Sequence, residues 1–168
     1  TNGTLCQNNA FWNGSWISYC IGSGQPPYSG ALDVVAHEWG HAVTQMVGAN
    51  FIAQVQPRAL NEAFSDWMGT AVENYYNESN WTMGEMVVGI NTVGIIRSLS
   101  NPPLYTSSCN GVNLPQTDHM NNYTTCTNYR QEAYLNMGIP NKMFYLLAEN
   151  GPHTHYNVTV QGIGIVNA

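Results

Sequence analysis

Apolar side chains recur at helical spacing in three parts of the chain, at residues 31–48, 59–77 and 140–150. Spacings of three and four positions bring side chains onto one face of a helix, so we expect three amphipathic helices, each burying its apolar stripe. The expected stripe of the first helix consists of Leu32, Val35, Trp39, Val43 and Met46. That of the second consists of Ala63, Phe64, Trp67, Met68, Ala71 and Tyr75.

Local signals set the expected helix ends. Asp33 suits the first turn of a helix, and Gly48 is a natural stop. Pro57 indicates a turn before the second helix, while Pro140 suits a first helical position. Residues 1–30 are rich in Gly, Asn, Ser and aromatic residues and predict loops with short extended pieces. Residues 77–128 are expected to be mostly irregular, because Pro102, Pro103 and Pro115 interrupt regular structure. The fold class expected is mainly α with irregular loops and a short β portion, that is, α+β.

Length and charge limit the functional classes. The 168 residues match one domain, and four basic against ten acidic residues give a net charge of -6. Phosphate backbones would repel such a chain, so nucleic acid is not an expected partner. No apolar run reaches the roughly 18 residues of a membrane span, and the first residues of the chain lack the basic and apolar pattern of a leader. We therefore expect a mature form or a fragment without a membrane span.

Cysteines and glycosylation sequons favour an oxidising, secretory compartment. The cysteines lack the CxxC spacing of zinc ribbons and form two local pairs, Cys6 with Cys20 and Cys109 with Cys126. These pairs are the simplest of three possible disulfide connectivities. Candidate glycosylation sites are Asn2, Asn13, Asn77, Asn80, Asn122 and Asn157. We predict a secreted or secretory-lysosomal glycoprotein. Charged residues make up 8% of the chain, and neutral glycans would keep such a weakly charged surface soluble.

The first helix contains His37-Glu38-Trp39-Gly40-His41, an HExxH motif. His37 and His41 lie one turn apart and can bind one zinc ion, while Glu38 is placed to take a proton from water. The simpler interpretation, a pair of core histidines, would require the apolar face of the helix. The pattern instead leaves the motif on the polar side, which favours the metal site.

Two histidines need a third protein ligand if the zinc is to keep an open position. Glu62 and Asp66 are again four residues apart on the second helix, away from its apolar stripe. We expect Glu62 to complete the zinc ligands and Asp66 to accept a hydrogen bond from a ligand imidazole. A solvated pair of acidic residues is the alternative.

In order along the chain, HEWGH, ALNEAFSD, NNAFWNGS and RSLSNPPLY resemble segments of the thermolysin family of zinc neutral endopeptidases. TDH at 117–119, GIPNK at 138–142 and VTVQGIG near the end extend the resemblance over nearly the whole chain. The resemblance implies a catalytic core of the zincin type, similar to that of the thermolysin family. Because the β-rich lobe before NNAFW and the helices after VTVQGIG are absent, residues 1–168 are expected to be a single core and a fragment of a larger catalytic unit.

The resemblance also implies residue roles. Asn61 would support the contact between the two ligand helices, and Asp66 would orient His37. Asn9 and Ala10 match an edge strand that pairs with the substrate backbone, and Arg97 matches an arginine that contacts a substrate carbonyl. A paired calcium site of the family has acidic residues at the positions of Asp33, Glu73 and Glu85, with Asn80 and Thr82 replacing two others. A single Ca²⁺ or none is expected.

The chain departs from the family around the oxyanion. Tyr134 stands where the family has a histidine that steadies the tetrahedral intermediate, Tyr129 where it has an aspartate, and Ala53 near an assisting tyrosine. A phenol remains protonated at neutral pH, so Tyr134 is a candidate replacement donor. The alternative is that a loop histidine (His119, His153 or His155) reaches the zinc pocket.

The favoured function is a secreted zinc metalloendopeptidase that cleaves peptide bonds on the amino side of apolar residues. Two alternatives stay open: a catalytically weakened homologue acting as an extracellular structural or interaction module, and a zinc hydrolase of another bond. Expected partners are a peptide or protein substrate and further segments of the precursor, or another chain, covering the exposed core.

Overall fold

The computed structural model describes residues 6, 9–20, 26–48, 51, 54–76, 80–87, 96–153 and 155–168. Its helices are α1 (Leu32–Met46), α2 (Val55–Tyr75), α3 (Tyr129–Asn136) and α4 (Gly138–Glu149). Its strands form four antiparallel pairs: β1 (Ala10–Trp12) with β2 (Ile17–Tyr19), β3 (Thr82–Met83) with β4 (Arg97–Ser98), β5 (Thr106–Cys109) with β6 (Val112–Pro115), and β7 (Gly151–Pro152) with β8 (Thr159–Val160). The expected mainly helical α+β class is confirmed.

The buried face of α1 is the opposite of the one predicted. Trp39 and Met46 of the expected stripe are 55% and 83% exposed. The buried positions are instead Asp33, Val34, Ala36, His37, Glu38, Gly40, Ala42 and Thr44. Apolar periodicity missed this face because its polar groups have hydrogen-bond partners, on α2 for His37 and Thr44 and in other segments for Asp33 and Glu38. These hydrogen bonds offset the penalty for burying polar groups.

The prediction for α2 was also wrong in part. Ala63 is buried as expected, but Tyr75 is 81% exposed, and Glu62 and Asp66 lie on the buried side. The helix starts at Val55, four residues before the predicted start, so that Pro57 lies in its first turn instead of in a preceding loop. Proline is tolerated there because the first turn has no intrahelical acceptors for its N–H groups.

Close contact between α1 and α2 depends on Gly40. A Cβ atom at Gly40 would lie 2.7 Å from the Cα of Ser65, closer than real Cβ atoms approach backbone. Thr44 then donates a hydrogen bond from Oγ1 to Asn61 Oδ1 at 2.8 Å, across the same interface. The two helices that carry the candidate ligands are therefore held together at the level of the motif.

The predicted third helix corresponds to α4, and a further helix that was not predicted, α3, precedes it. α4 starts at Gly138, so Pro140 is its third residue instead of its first. α3 was missed, although Asn128 caps it by accepting from the Arg130 N–H at 2.9 Å and Glu132 lies in its first turn. Asn128 followed three positions later by Gln131 was the available signal, since this spacing is typical of a helix N-terminus.

The segment 77–128, expected to be mostly irregular, contains a β-hairpin. Asn110 and Gly111 join β5 to β6 with φ of 54° and 84°, the left-handed pair that a two-residue hairpin turn requires. The Asn-Gly dipeptide was a strong signal for this turn. Disulfide Cys109–Cys126 ties the end of β5 to the segment before α3, and Cys6–Cys20 links the loop before β1 to the end of β2.

The core consists of several small clusters. Ala59 and Ala63 of α2 pack with Ala133 and Met137 beneath Tyr134, and Phe144 of α4 stacks on Trp67 with ring centroids 5.1 Å apart. No helix in the described ranges is long and apolar enough to cross a membrane.

Candidate metal and active site

Three potential metal ligands converge where α1 crosses α2. His37 and His41 lie one turn apart on α1, and Glu62 lies opposite on α2. Glu62 Oε2 is 3.5 Å from His37 Nε2 and 3.6 Å from His41 Nε2, and one donor atom from each of the three side chains lies within 4.8 Å of the others. Two imidazoles and a carboxylate are the donors of many catalytic zinc sites. The site thus fits a zinc ion.

In each of the two imidazoles, Nδ1 lies on the side away from Glu62 and is hydrogen-bonded to a neighbouring side chain. His37 Nδ1 lies 2.8 Å from Asp66 Oδ1. His41 Nδ1 lies 3.3 Å from Asn61 Oδ1 and 3.1 Å from Ser65 Oγ. A proton held on each Nδ1 leaves both Nε2 lone pairs directed at the convergence point. Ser65 was not predicted, and the sequence offered no signal for it.

Asp66 is fully buried and binds three partners. Arg97 donates from Nη2 to Oδ1 at 2.8 Å and from Nε to Oδ2 at 2.9 Å, and Asn141 donates to Oδ2 at 2.9 Å. Burial alone would raise the pKa of Asp66, but the charge of Arg97 and the hydrogen bond from His37 hold this pKa well below its usual range. Asp66 is therefore an anion that anchors His37. Asn141 was not predicted to take part.

The same pair raises the pKa of His37. Burial lowers its pKa, but hydrogen bonds with Asp66 and Glu62 outweigh burial and raise the pKa to about 9. Without a cation between them, the proton stays on His37, and the imidazolium pairs with the Glu62 carboxylate. A metal ion would take the place of that proton, since metal binding requires deprotonated ligands.

Glu38 lies beside the three converging side chains. It is buried, and burial raises the pKa of its carboxyl group. Its Oε2 accepts the N–H of Trp12 at 2.9 Å, which fixes the carboxylate against β1. Trp12 was not among the predicted residues. A raised carboxyl pKa suits a group that must both accept and return a proton near neutral pH.

These groups line a cleft of about 1150 Å³. Asn9 and Ala10 line it from the β1 side, and Arg97 and Tyr134 also line it. β1 pairs on one edge with β2, and Asn9 accepts the Cys20 N–H at 2.8 Å. The cleft thus brings together the predicted catalytic, metal and substrate residues.

Tyr134 faces Glu62. The negative charge of Glu62 is the main cause of the raised pKa of Tyr134, followed by burial. The phenol thus remains a proton donor at the cleft. His119, His153 and His155 do not line the cleft among the described residues. They cluster together, with the rings of His119 and His155 4.7 Å apart.

The predicted calcium residues do not form a cluster. Asp33 accepts the N–H groups of Val34 and Gly84, and Glu85 accepts from Asn80 and Thr82. Among the described residues, the one group of three or more potential ligands is His37, His41 and Glu62, so Asp33, Glu73 and Glu85 do not converge.

The predicted sequons lie mostly on the surface. Asn13, Asn122 and Asn157 are exposed, and Asn80 is half-buried. Asn2 and Asn77 fall outside the described residues.

Comparison with known proteins identifies the family. The profile "Thermolysin metallopeptidase, catalytic domain" matches residues 3–45, and "Thermolysin metallopeptidase, alpha-helical domain" matches residues 49–168. Thermostable neutral protease NprT of Geobacillus stearothermophilus and thermolysin of Alicyclobacillus acidocaldarius subsp. acidocaldarius are each 42% identical over 94% of this chain.

A solved structure gives the same result. The precursor of protealysin, a metalloproteinase from Serratia proteamaculans, superposes with a TM-score of 0.73 at 32% identity, over 83% of this chain and 45% of that one. The chain spans about a quarter (27%) of the length of the two curated relatives. The profiles, the sequence identity and the shared fold together establish that the chain belongs to the thermolysin family of metallopeptidases.

Proposed function

We propose that this chain carries the catalytic centre of a zinc endopeptidase. The observation that carries the proposal is the position of Glu38, a buried carboxylate of raised pKa, beside His37, His41 and Glu62 in one open cleft. His37, His41 and Glu62 would hold the zinc. When bound, zinc supplies a Lewis acid and lowers the pKa of water to about 7.

The other residues of the cleft would act as follows. Glu38 takes a proton from the attacking water and returns it to the leaving amine, as a general base and then a general acid. Asn9 and Ala10 align the substrate backbone along β1, since strand edges bind extended peptides through main-chain hydrogen bonds. Arg97, fixed by Asp66, points its guanidinium towards a substrate carbonyl. Apolar side chains would occupy the position after the cleaved bond.

Removal of zinc tests this proposal. We expect the purified protein to contain one zinc per chain and to cleave an apolar fluorogenic peptide. A chelator should abolish the cleavage, and added zinc should restore it, because no other group in the cleft supplies a Lewis acid. Metal analysis and peptide hydrolysis are the measurements. One zinc per chain without chelator-sensitive cleavage would contradict the enzyme and favour the extracellular module instead.

We further propose that Tyr134 replaces the missing oxyanion histidine. Its phenol lies in the cleft and keeps its proton, because Glu62 and burial raise its pKa. On substrate binding, this O–H would turn from Glu62 to the developing negative charge. The proposal concerns a side chain that the family pattern does not contain.

Substitution Tyr134→Phe removes the hydroxyl and keeps the ring. We expect kcat/KM for peptide cleavage to fall about 10²-fold, the usual loss for one oxyanion donor, while zinc content stays unchanged. Tyr145→Phe is the matched control, since Tyr145 packs on Trp81 away from the cleft. Equal cleavage by Tyr134→Phe and the natural protein would refute the role of Tyr134.

The compartment is proposed to be extracellular. Two disulfides and exposed sequons at Asn13, Asn122 and Asn157 support secretion and glycosylation. A mass shift after enzymatic removal of N-linked glycans would measure their occupancy. Calcium binding at Asp33, Glu73 and Glu85 remains a proposal from family resemblance, to be tested by the effect of Ca²⁺ on Tm.

The outer face of α1 is proposed to contact further polypeptide, from the same precursor or from another chain. Trp39, Met46 and Val47 are 55%, 83% and 74% exposed, which is unusual for adjacent large apolar side chains. The longer relatives are consistent with such additional segments.

A further inference from the structure

All three arginines of the chain line the same cleft. They are Arg58, Arg97 and Arg130, in a chain that otherwise carries one lysine and ten acidic residues. Arg97 is paired with Asp66. Arg58 and Arg130 come from different helices, α2 and α3, and have no place in the proposed chemistry. An acidic protein thus concentrates its positive charge at the site where a substrate would bind.

The guanidinium groups of the two remaining arginines contact the same ring, that of Tyr129. The guanidinium carbons of Arg58 and Arg130 lie 5.3 Å and 5.9 Å from the centre of its ring, within the range of a cation–π contact. Arg130 also donates from Nε to the Tyr129 hydroxyl at 3.4 Å. Arg130 is exposed, and the ion pairs formed by the described residues give it no carboxylate partner. Two guanidinium groups thus contact one ring at the cleft, which concentrates positive charge there.

Each of the two arginines lies about one helical turn from a residue of the candidate site. Arg58 precedes Glu62 by four residues on α2, and Arg130 precedes Tyr134 by four residues on α3. Four residues of helix rise about 6 Å. An extended peptide advances about 3.3 Å per residue. A substrate group at the arginines would therefore lie about two residues from the cleaved bond.

We propose that Arg58 and Arg130 form a subsite for a substrate carboxylate. The carboxylate would come from an Asp or Glu side chain about two residues from the cleaved bond, or from the free C-terminus of a short peptide. Guanidinium groups bind carboxylates with paired, charge-assisted hydrogen bonds. The proposal rests on the peptidase function and adds a preference for acidic substrates to it.

Binding to the Glu38→Gln form of the full-length protein tests the subsite without requiring cleavage. Fluorescence anisotropy would compare peptides carrying Glu or Gln at each position from the cleaved bond, each with a free or amidated C-terminus. We expect one carboxylate to strengthen binding about tenfold over its neutral counterpart, the range for hydrogen bonds to charged groups. If binding responds to a Glu side chain at one position, the subsite binds a side-chain carboxylate. If binding responds only to the free C-terminus, the subsite binds the terminal carboxylate.

The double substitution Arg58→Gln and Arg130→Gln should abolish this difference. Arg130→Gln alone changes an exposed side chain, keeps the fold and should reduce the preference several-fold. Lys142→Gln is the control, because Lys142 is a cation outside the cleft that bonds to the Ser100 carbonyl. Equal binding of Glu and Gln peptides, or a preference that survives both arginine substitutions, overturns the subsite. Failure of the peptidase function would show separately, as absent cleavage by the protein with Glu38 intact.

Discussion

Substitution Glu38→Gln is expected to lower kcat/KM for peptide cleavage by about 10²- to 10⁴-fold, the usual contribution of a general base. Glutamine preserves the shape of Glu38 and its contact with the Trp12 N–H, but it cannot accept a proton from water. Zinc content and Tm should change little, because Glu38 is not one of the three converging ligands. The measurements are hydrolysis of a fluorogenic peptide and metal analysis on the same sample.

The matched control is Glu149→Gln, the same chemical change at an exposed residue beside Trp81. It should leave both cleavage and zinc content unaltered. Full cleavage by the Glu38→Gln form would show that another group activates water, and the assignment of Glu38 would be wrong. Loss of zinc together with activity would indicate instead that Glu38 supports the metal site.

Substitution Asp66→Asn is expected to lower the free energy of unfolding by about 3–5 kcal/mol. Asparagine fits the same space, but it leaves the buried guanidinium of Arg97 without a compensating charge, and breaking one half of a buried ion pair costs this much. The affinity for zinc should also fall about 10- to 100-fold, since His37 loses its anionic partner. Urea unfolding at fixed zinc concentration measures the first effect, and competition with a chelator measures the second.

Asp118→Asn provides the matched control. Asp118 pairs with His155 at 2.9 Å, in a partly exposed position where ion pairs contribute at most about 1 kcal/mol. The double variant Asp66→Asn and Arg97→Met should be less destabilised than the sum of its single variants, because neither charge is then left alone. Equal stabilities of the Asp66→Asn and Asp118→Asn proteins would refute the structural role of the buried pair.

The candidate ligands could be identified from sequence because their geometry is local. His37 and His41 share a helix face by spacing, as do Glu62 and Asp66, and two helices that carry such pairs can bring them together. The motif itself placed Glu38 beside the two histidines, and the family resemblance then assigned Arg97 and Asn9 to substrate binding. The disulfide pairs could be predicted for a similar reason, because each links two cysteines that are close in sequence, such as Cys109 and Cys126.

The helix faces could not be predicted because burial was judged from apolarity alone. Trp39 and Met46 lie on the outside, while Asp33, Asp66 and Thr44 lie inside. These polar groups are buried because each has a partner from a distant part of the chain, such as Arg97 for Asp66. No periodicity in a single segment contains that information.

The sequence by itself determined the mainly helical class, the HExxH ligand pair and the family, because each depends on residue types at short spacings. The tertiary structure decided the groups that surround those ligands. Ser65, Asn141 and Trp12 reach the site from three separate segments through hydrogen bonds that pair buried polar atoms. It also decided that Arg58 and Arg130 meet on Tyr129, since only the packing of α3 on α2 brings two like charges to one ring.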